Sequence, residues 1–361
     1  MQDTQQQTIN KSQRIEYIDA LRGFTMLLVV FVHMETFTLD IAPCTTITSS
    51  IILSFVMPLF FFISGFFSYK HEYCISEGKR LVKFFFSKVI ALVVPTIIIG
   101  LAYTYMLTNK TACNFFLNSL KLGYWFTLAL PQMFLLLYLI CYLTRKQTIK
   151  GNNKPWLISL IGISASLYLA LSPIRRYDLS WCDITLVTST CEYFIYFVFG
   201  VVISKYKDYF YKTLDNQYIT ASIITLFCIL TWYNFTTTEY NSIIIEKLCS
   251  RLIPPILGFL GTTIVFNFFR IYQQNFTQAT QMGRALQYVG RRTLDIYLLH
   301  YFLIPTLPFW GNIIKESNSM VIEIIMGFCV SIFVVVFCLI ISNILRTSKL
   351  LEFILFGVKQ K

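Results

Sequence analysis

RIEYIDALRGFTMLLVVFVH, residues 14–33, opens with polar and charged side chains and runs into an apolar span. Two groups in it are costly to bury, Arg22 and His33, and they lie eleven residues apart. On a helix at ~100° per residue, eleven steps come to about 1100°, only ~20° past three full turns. Both side chains therefore share one face, about 16 Å apart along the axis at ~1.5 Å per residue. If the helix enters a membrane near residue 20, His33 lies roughly halfway through a ~30 Å hydrocarbon core. An ionisable residue at that depth is a candidate functional group by default. The competing reading is a histidine hydrogen-bonded between helices.

The rest of the chain has the same character. Its 361 residues are 56% hydrophobic, 17% aromatic and only 13% charged, with mean hydropathy +0.62. A soluble domain carries ~25% charged residues. Only lipid lets this much apolar surface stay outside a core, so the expected class is an all-α polytopic membrane protein. A net charge of +12 would suit a nucleic acid. The basic residues flank apolar spans, however, so anionic lipid and insertion topology account for them, and no nucleic-acid partner is expected.

Ten spans are expected, at about 20–39, 49–69, 84–107, 123–143, 155–172, 184–204, 218–234, 250–269, 293–310 and 320–344. No small-residue cleavage site follows the first, so it reads as an uncleaved span. With the N-terminus inside, 23 of the 30 Lys and Arg residues fall on the inner side. That bias predicts ten transmembrane helices with both termini cytoplasmic. The chain divides into a polar N-terminal tail (1–17), one membrane domain (18–350) and a C-terminal tail (351–361).

The ten cysteines form no CxxC pair, and three histidines without HExxH give no metal site. Cys44, Cys113 and Cys182 fall in or near outer segments, where a disulfide is conceivable. There is no phosphate-binding glycine loop and no nucleophile elbow.

Four constellations carry chemistry. Asp19 and Arg22 are three apart and can pair across a helical turn. Arg22 is either a helix-end anchor or a cationic site for an anionic ligand entering from the cytosol. Gly23 beside it lets a ligand or another helix approach closely. The segment PLFFFISGFF, 58–67, sets Ser64-Gly65 in a wall of phenylalanine, the signature of close helix packing. Gly123-Tyr124-Trp125-Phe126 reads as an aromatic belt at the outer end of span four. In RRTLDIYLLH, 291–300, Asp295 and His300 enter a span with Tyr297 between them.

Together these motifs resemble the acyltransferase 3 family of integral membrane O-acyltransferases. The resemblance rests on the IDxLRG start with Arg22, ten residues and His33; on FFxxSGF at 61–67; on Trp125-Phe126; and on IYLLH at 296–300. The family typically has two arginines before a proline at the start of span three. This chain has Lys88 and Ala91 before Pro95, with Lys79, Arg80 and Lys83 nearby.

The resemblance implies transfer of an acyl group, commonly acetyl, from cytosolic acyl-CoA to a hydroxyl of a cell-envelope glycan or lipid-linked glycan. Acyl-CoA would be a cosubstrate, with no permanently bound cofactor. His33 is then the expected general base. Arg14, Asp19, Arg22, Lys79, Arg80 and Lys88 form the expected donor mouth, where cations suit phosphates. Ser64, Gly65, Trp125, Tyr297 and His300 would support the site. Arg175 and Arg176, outside against the charge bias, are candidate acceptor contacts. The orienting partner of His33 must come from another helix, because Glu35, two residues on, points elsewhere. The rival reading is a transporter or flippase of an envelope lipid or glycan with buried Arg and His as gates. Lys-, Asn- and Ile-rich usage points to a bacterial plasma membrane.

Overall fold

In the computed structural model the described residues are 15–107, 111–237, 243–317 and 319–357, apart from the side chains of His71, 243–245, Lys247 and Lys315. Arg14 lies outside them. The main helices are α1 (Glu16–His33), α2 (Ile47–Ser68), α3 (Gly78–Leu107), α4 (Trp125–Ile149), α5 (Lys154–Arg176) and α6 (Val187–Lys205). They continue with α7 (Gln217–Thr236), α8 (Ile243–Ile271), α9 (Gln281–Arg291), α10 (Thr293–Leu299), α11 (Pro308–Ser317), α12 (Met320–Leu345) and α13 (Lys349–Phe356). No strand occurs among the described residues. Several first turns are capped where the sequence offers a short polar side chain. Thr46 accepts from the Ser49 N–H ahead of α2, Thr280 from Gly283 ahead of α9, and Ser348 from Leu351 ahead of α13.

Among the described residues, nine helices are long and apolar enough to cross a bilayer. They differ in what they touch. The apolar window of α1 is 78% buried inside the protein and that of α7 only 6%. Thus α1 is the hub and α7 faces lipid. Glycines let backbones meet at the hub: a Cβ on Gly23 would fall on the Leu286 carbonyl of α9, and one on Gly290 on the Asp19 carbonyl. The α2–α6 pair is built the same way, with Gly65 against the Phe197 carbonyl and Gly200 against that of Phe62. The packing reading of Ser64-Gly65 therefore holds for Gly65, and the close neighbour of Gly23 is another helix.

The expected span 293–310 is not one helix. α10 ends at Leu299, a 3-10 turn follows at His300–Phe302, and α11 begins only at Pro308. Pro305 and Pro308 explain the break, since proline lacks the N–H and biases its predecessor away from helix. This broken segment runs parallel to α1. Gly290 abuts Asp19, the His300 ring lies beside that of His33, Leu307 N–H donates to Thr38 O at 2.9 Å, and Gly311 abuts Leu39. It therefore keeps pace with α1 along its length. α12 runs back the other way. Its start meets the α2 cap through Thr46 and Glu323 (2.6 Å), and its end meets Asp295 through Ser342 and Arg346. The start of α1 and the end of α12 thus lie at the same end of the bundle.

Two more segments shape the site. The turn 121–123 has positive φ at Lys121, Leu122 and Gly123. The buried Lys121 ammonium fixes it by donating to the carbonyls of Phe116, Asn118 and Ile184 at 2.5, 2.8 and 2.6 Å. The stretch from 351, expected as a C-terminal tail, is helical to Phe356: α13 packs on α3, with Phe356 buried and Gly357 against the Ala91 backbone. All ten cysteines are free; Cys74 and Cys182 are buried, and Cys44 and Cys113 are exposed.

Candidate active site

The face of α1 that carries Arg22 also carries Met26 and Val29, and all three line a cavity of about 260 Å³. Its other walls come from α2, α3, α4 and α10. One end is cationic. Arg22 Nη2 donates to Thr293 Oγ1 at 3.3 Å and its guanidinium lies 5.7 Å from the centre of the exposed Phe67 ring. Exposed Lys88 places its ammonium 5.1 Å from the centre of the Phe134 ring. From there the walls are almost wholly apolar as far as Phe126 and Tyr297. Ser64 is on this wall, its hydroxyl turned back to Phe60 O at 2.9 Å, which leaves its oxygen as an acceptor.

Tyr297 closes the far end. Its hydroxyl donates to Gly123 O at 2.8 Å and accepts from Phe126 N–H at 3.2 Å. The strained turn at 121–123 and the first residues of α4 therefore fix this ring. Behind it, 6.1 Å between ring centres, lies His300.

His33 and His300 face each other with ring centres 5.2 Å apart. His300 is fully buried. Its Nδ1 is 3.0 Å from Ile296 O, and a carbonyl only accepts, so Nδ1 carries the proton and Nε2 has a bare lone pair. That Nε2 has no hydrogen-bond partner among the described residues. His33 Nε2 lies 3.1 Å from the Tyr301 hydroxyl, and Tyr301 also packs on His300 at 4.1 Å. His33 is thus hydrogen-bonded to another segment, the 3-10 turn after α10. His33 is half-buried, stacked at 5.8 Å on Phe37, which is 52% exposed. Phe37 lies one helical turn further from Arg22. A π-helical turn, Met34–Thr38, begins directly after His33; such turns recur at functional sites.

Of the expected donor residues, Arg22 and Lys88 line the cavity. Asp19 is buried on α1, outside the cavity lining, where its backbone carbonyl meets Gly290 of α9. Lys79 and Arg80 are exposed in the first turn of α3, Arg80 paired with Glu72 at 3.4 Å. Trp125 lies beside the cavity, its ring 5.4 Å from Tyr193 and 6.0 Å from Phe61. Arg175 pairs with Glu192 at 3.2 Å and Arg176 is exposed. Neither arginine is in the cavity lining. Tyr301, Thr293 and Phe37 were not singled out from the sequence. The one signal for Tyr301 was its place next to His300.

The sequence pattern of the acyltransferase 3 family, described as an acyltransferase domain, matches residues 15–343. Curated relatives from six Staphylococcus aureus strains, Mu50 and MSSA476 among them, are named "Probable poly-beta-1,6-N-acetyl-D-glucosamine export protein". They are 22% identical over 305 residues, covering 77% of this chain and 77% of each relative. No solved structure matches. The family match spans every element of the site described above, from Arg22 to Tyr301, and the chain belongs to the acyltransferase 3 family of membrane proteins.

Proposed function

We propose that the protein transfers an acyl group, commonly acetyl, from cytosolic acyl-CoA to a hydroxyl of a cell-envelope glycan. The observation that carries this reading is the apolar cavity with Arg22 and Lys88 at one end and the histidine pair one ring beyond the other. A long thin pantetheine arm with a polyanionic end suits a cavity with a cationic mouth. The separation of about 16 Å between Arg22 and His33 along α1 suits the length of that arm. The glycan acceptor takes support from the name of the Staphylococcus aureus relatives.

His33 is assigned as the general base. Tyr301 accepts from its Nε2–H and leaves Nδ1 to take the proton of the acceptor hydroxyl. The hydroxyl oxygen attacks the thioester carbonyl, the carbon–sulfur bond breaks, and the imidazolium returns the proton to the departing thiolate. Acceptor and donor would then approach from opposite ends of α1. In a bacterial plasma membrane this means ten crossings, the broken 293–310 segment being the ninth, with both termini cytoplasmic. Membrane-impermeant maleimide on sealed cells should label exposed Cys44 and Cys113. Labelling of neither would overturn this orientation. Buried Cys182 and Cys74 are unsuited to the test.

Purified protein given labelled acetyl-CoA should bind it, hydrolyse it slowly and transfer the label to an added glycan. Arg22→Ala should weaken acetyl-CoA binding at least about tenfold, a charge-assisted contact being worth ~1.5–3 kcal/mol, and Arg22→Lys should restore only part because it lacks the planar fork. Unchanged affinity by calorimetry would reduce Arg22 to an anchor. The relatives' name also favours a second reading, glycan export, in which buried Arg and His gate a path. That reading predicts function without acyl-CoA, so the same transfer assay separates the two.

A further inference from the structure

We infer that the ion-pair network on Asp295 is a positioning device tying the C-terminal helix α13 to the active-site histidines; this rests on the acyltransferase reading above. α10 is only 7 residues long, far below the ~12–15 at which a helix begins to hold its own shape. Yet it carries Tyr297 and leads straight into His300 and Tyr301. Its first turn is held by one carboxylate. The Asp295 side chain is 2% exposed. Its Oδ2 accepts from Ser342 Oγ at 2.5 Å, Arg346 Nε at 2.9 Å and Arg292 Nη1 at 3.3 Å, and its Oδ1 accepts from Arg346 Nη2 at 2.8 Å.

The Arg346 fork does not stop there. Its Nη1 donates to Glu352 Oε1 on α13 at 2.6 Å, and the guanidinium lies 4.7 Å from the centre of the buried Phe356 ring. α13 then ends at Gly357, in the left-handed region at φ 64, against the backbone of Ala91. Ala91 is itself a wall residue of the cavity. A continuous chain of contacts thus runs from α13 through Arg346 and Asp295 into α10, two residues from Tyr297 and five from His300.

Buried ion pairs are poor evidence of stability, because apolar residues of the same volume often hold helices equally well. What a bidentate pair adds is orientation: two parallel hydrogen bonds fix the rotation of α10 about its own axis. That rotation aims Tyr297 and His300, so errors in it act on reaction geometry. The Arg22 end of the cavity is built on α1, α2 and α3 and meets α10 through the 3.3 Å bond from Arg22 to Thr293, so donor binding should feel the change less than turnover does.

The test uses the full chain in nanodiscs, with Arg346→Lys, which keeps charge and loses the fork, and the milder Glu352→Gln. For Arg346→Lys, turnover of acetyl-CoA should fall about tenfold or more, acetyl-CoA affinity should fall by much less than turnover, and amide exchange in 293–303 should speed up. Glu352→Gln should move the same readouts in the same direction by less. Parent-like exchange in 293–303 for Arg346→Lys would overturn the inference, as would a turnover loss matched by lost affinity. If the parent itself transfers nothing, the acyltransferase reading fails, and the exchange measurement still decides whether Arg346 positions this segment.

Discussion

Replacing His33 by alanine should lower acyl transfer by ~10²–10⁴-fold, the usual cost of removing a general base, and leave acetyl-CoA affinity at the parent value. His33 is the half-buried member of the pair and stacks on the exposed Phe37, whereas His300 is fully enclosed. In the proposed reaction the more exposed of the two, His33, is the one to meet the acceptor. Arg22 and Lys88, which would hold the donor, stand at the far end of the cavity and do not touch His33. His300→Ala should behave differently. It deletes a ring packed on Tyr301 at 4.1 Å and on His33 at 5.2 Å, so rate should fall together with thermal stability. Single-turnover transfer and donor titration on both variants check the assignment. Near-parent turnover by His33→Ala would end it.

The second large effect is on folding. Gly290→Val should prevent α9 from seating on α1. The added carbons would meet the Asp19 carbonyl, and the nearest alternatives are also backbone: Asp19 C at 2.9 Å and Gly23 N at 3.1 Å. A side chain can swing aside, but a helix backbone cannot. The cost should exceed the ~1–3 kcal/mol of ordinary overpacking. Against total stabilities of ~5–15 kcal/mol, that removes most folded protein. Gly162→Ala is the control, because a Cβ there meets nothing within 4 Å. Size-exclusion profiles and melting points of the two variants in detergent give the comparison. If Gly290→Val runs and melts like Gly162→Ala, α1 and α9 do not touch as described.

Much of this was readable in the sequence, for identifiable reasons. Helical periodicity alone put Arg22 and His33 on one face, and the cavity and the histidine pair occupy the two ends of that face. Gly23 and Gly65 announced close approaches because a missing Cβ has few other uses inside a membrane helix. The broken segment was misread as one span because hydropathy does not register a break. Pro305 and Pro308 were its only local signals. Tyr301 as the partner of His33, and Arg346 as that of Asp295, join residues 268 and 51 positions apart. No spacing rule reaches that far. Lys79, Arg80 and Lys88 looked equivalent as charges, and only the packing of α3 turns Lys88 to the cavity and leaves the other two in its first turn.

The thinness of the barrier at Tyr297 has an electrical consequence. If the cavity fills with cytosolic water and the His33 side with external water, most of the membrane voltage drops across the layer of two enclosed rings between them, Tyr297 and His300, whose centres are 6.1 Å apart. Charge crossing that layer does work of about 2.3 kcal/mol per elementary charge per 100 mV. A neutral acyl group crosses it free of such work, and the CoA anion stays behind on its own side. An acyl group bearing a carboxylate would instead be pulled outward by an inside-negative potential, so its transfer would quicken in energised vesicles and that of acetyl would not.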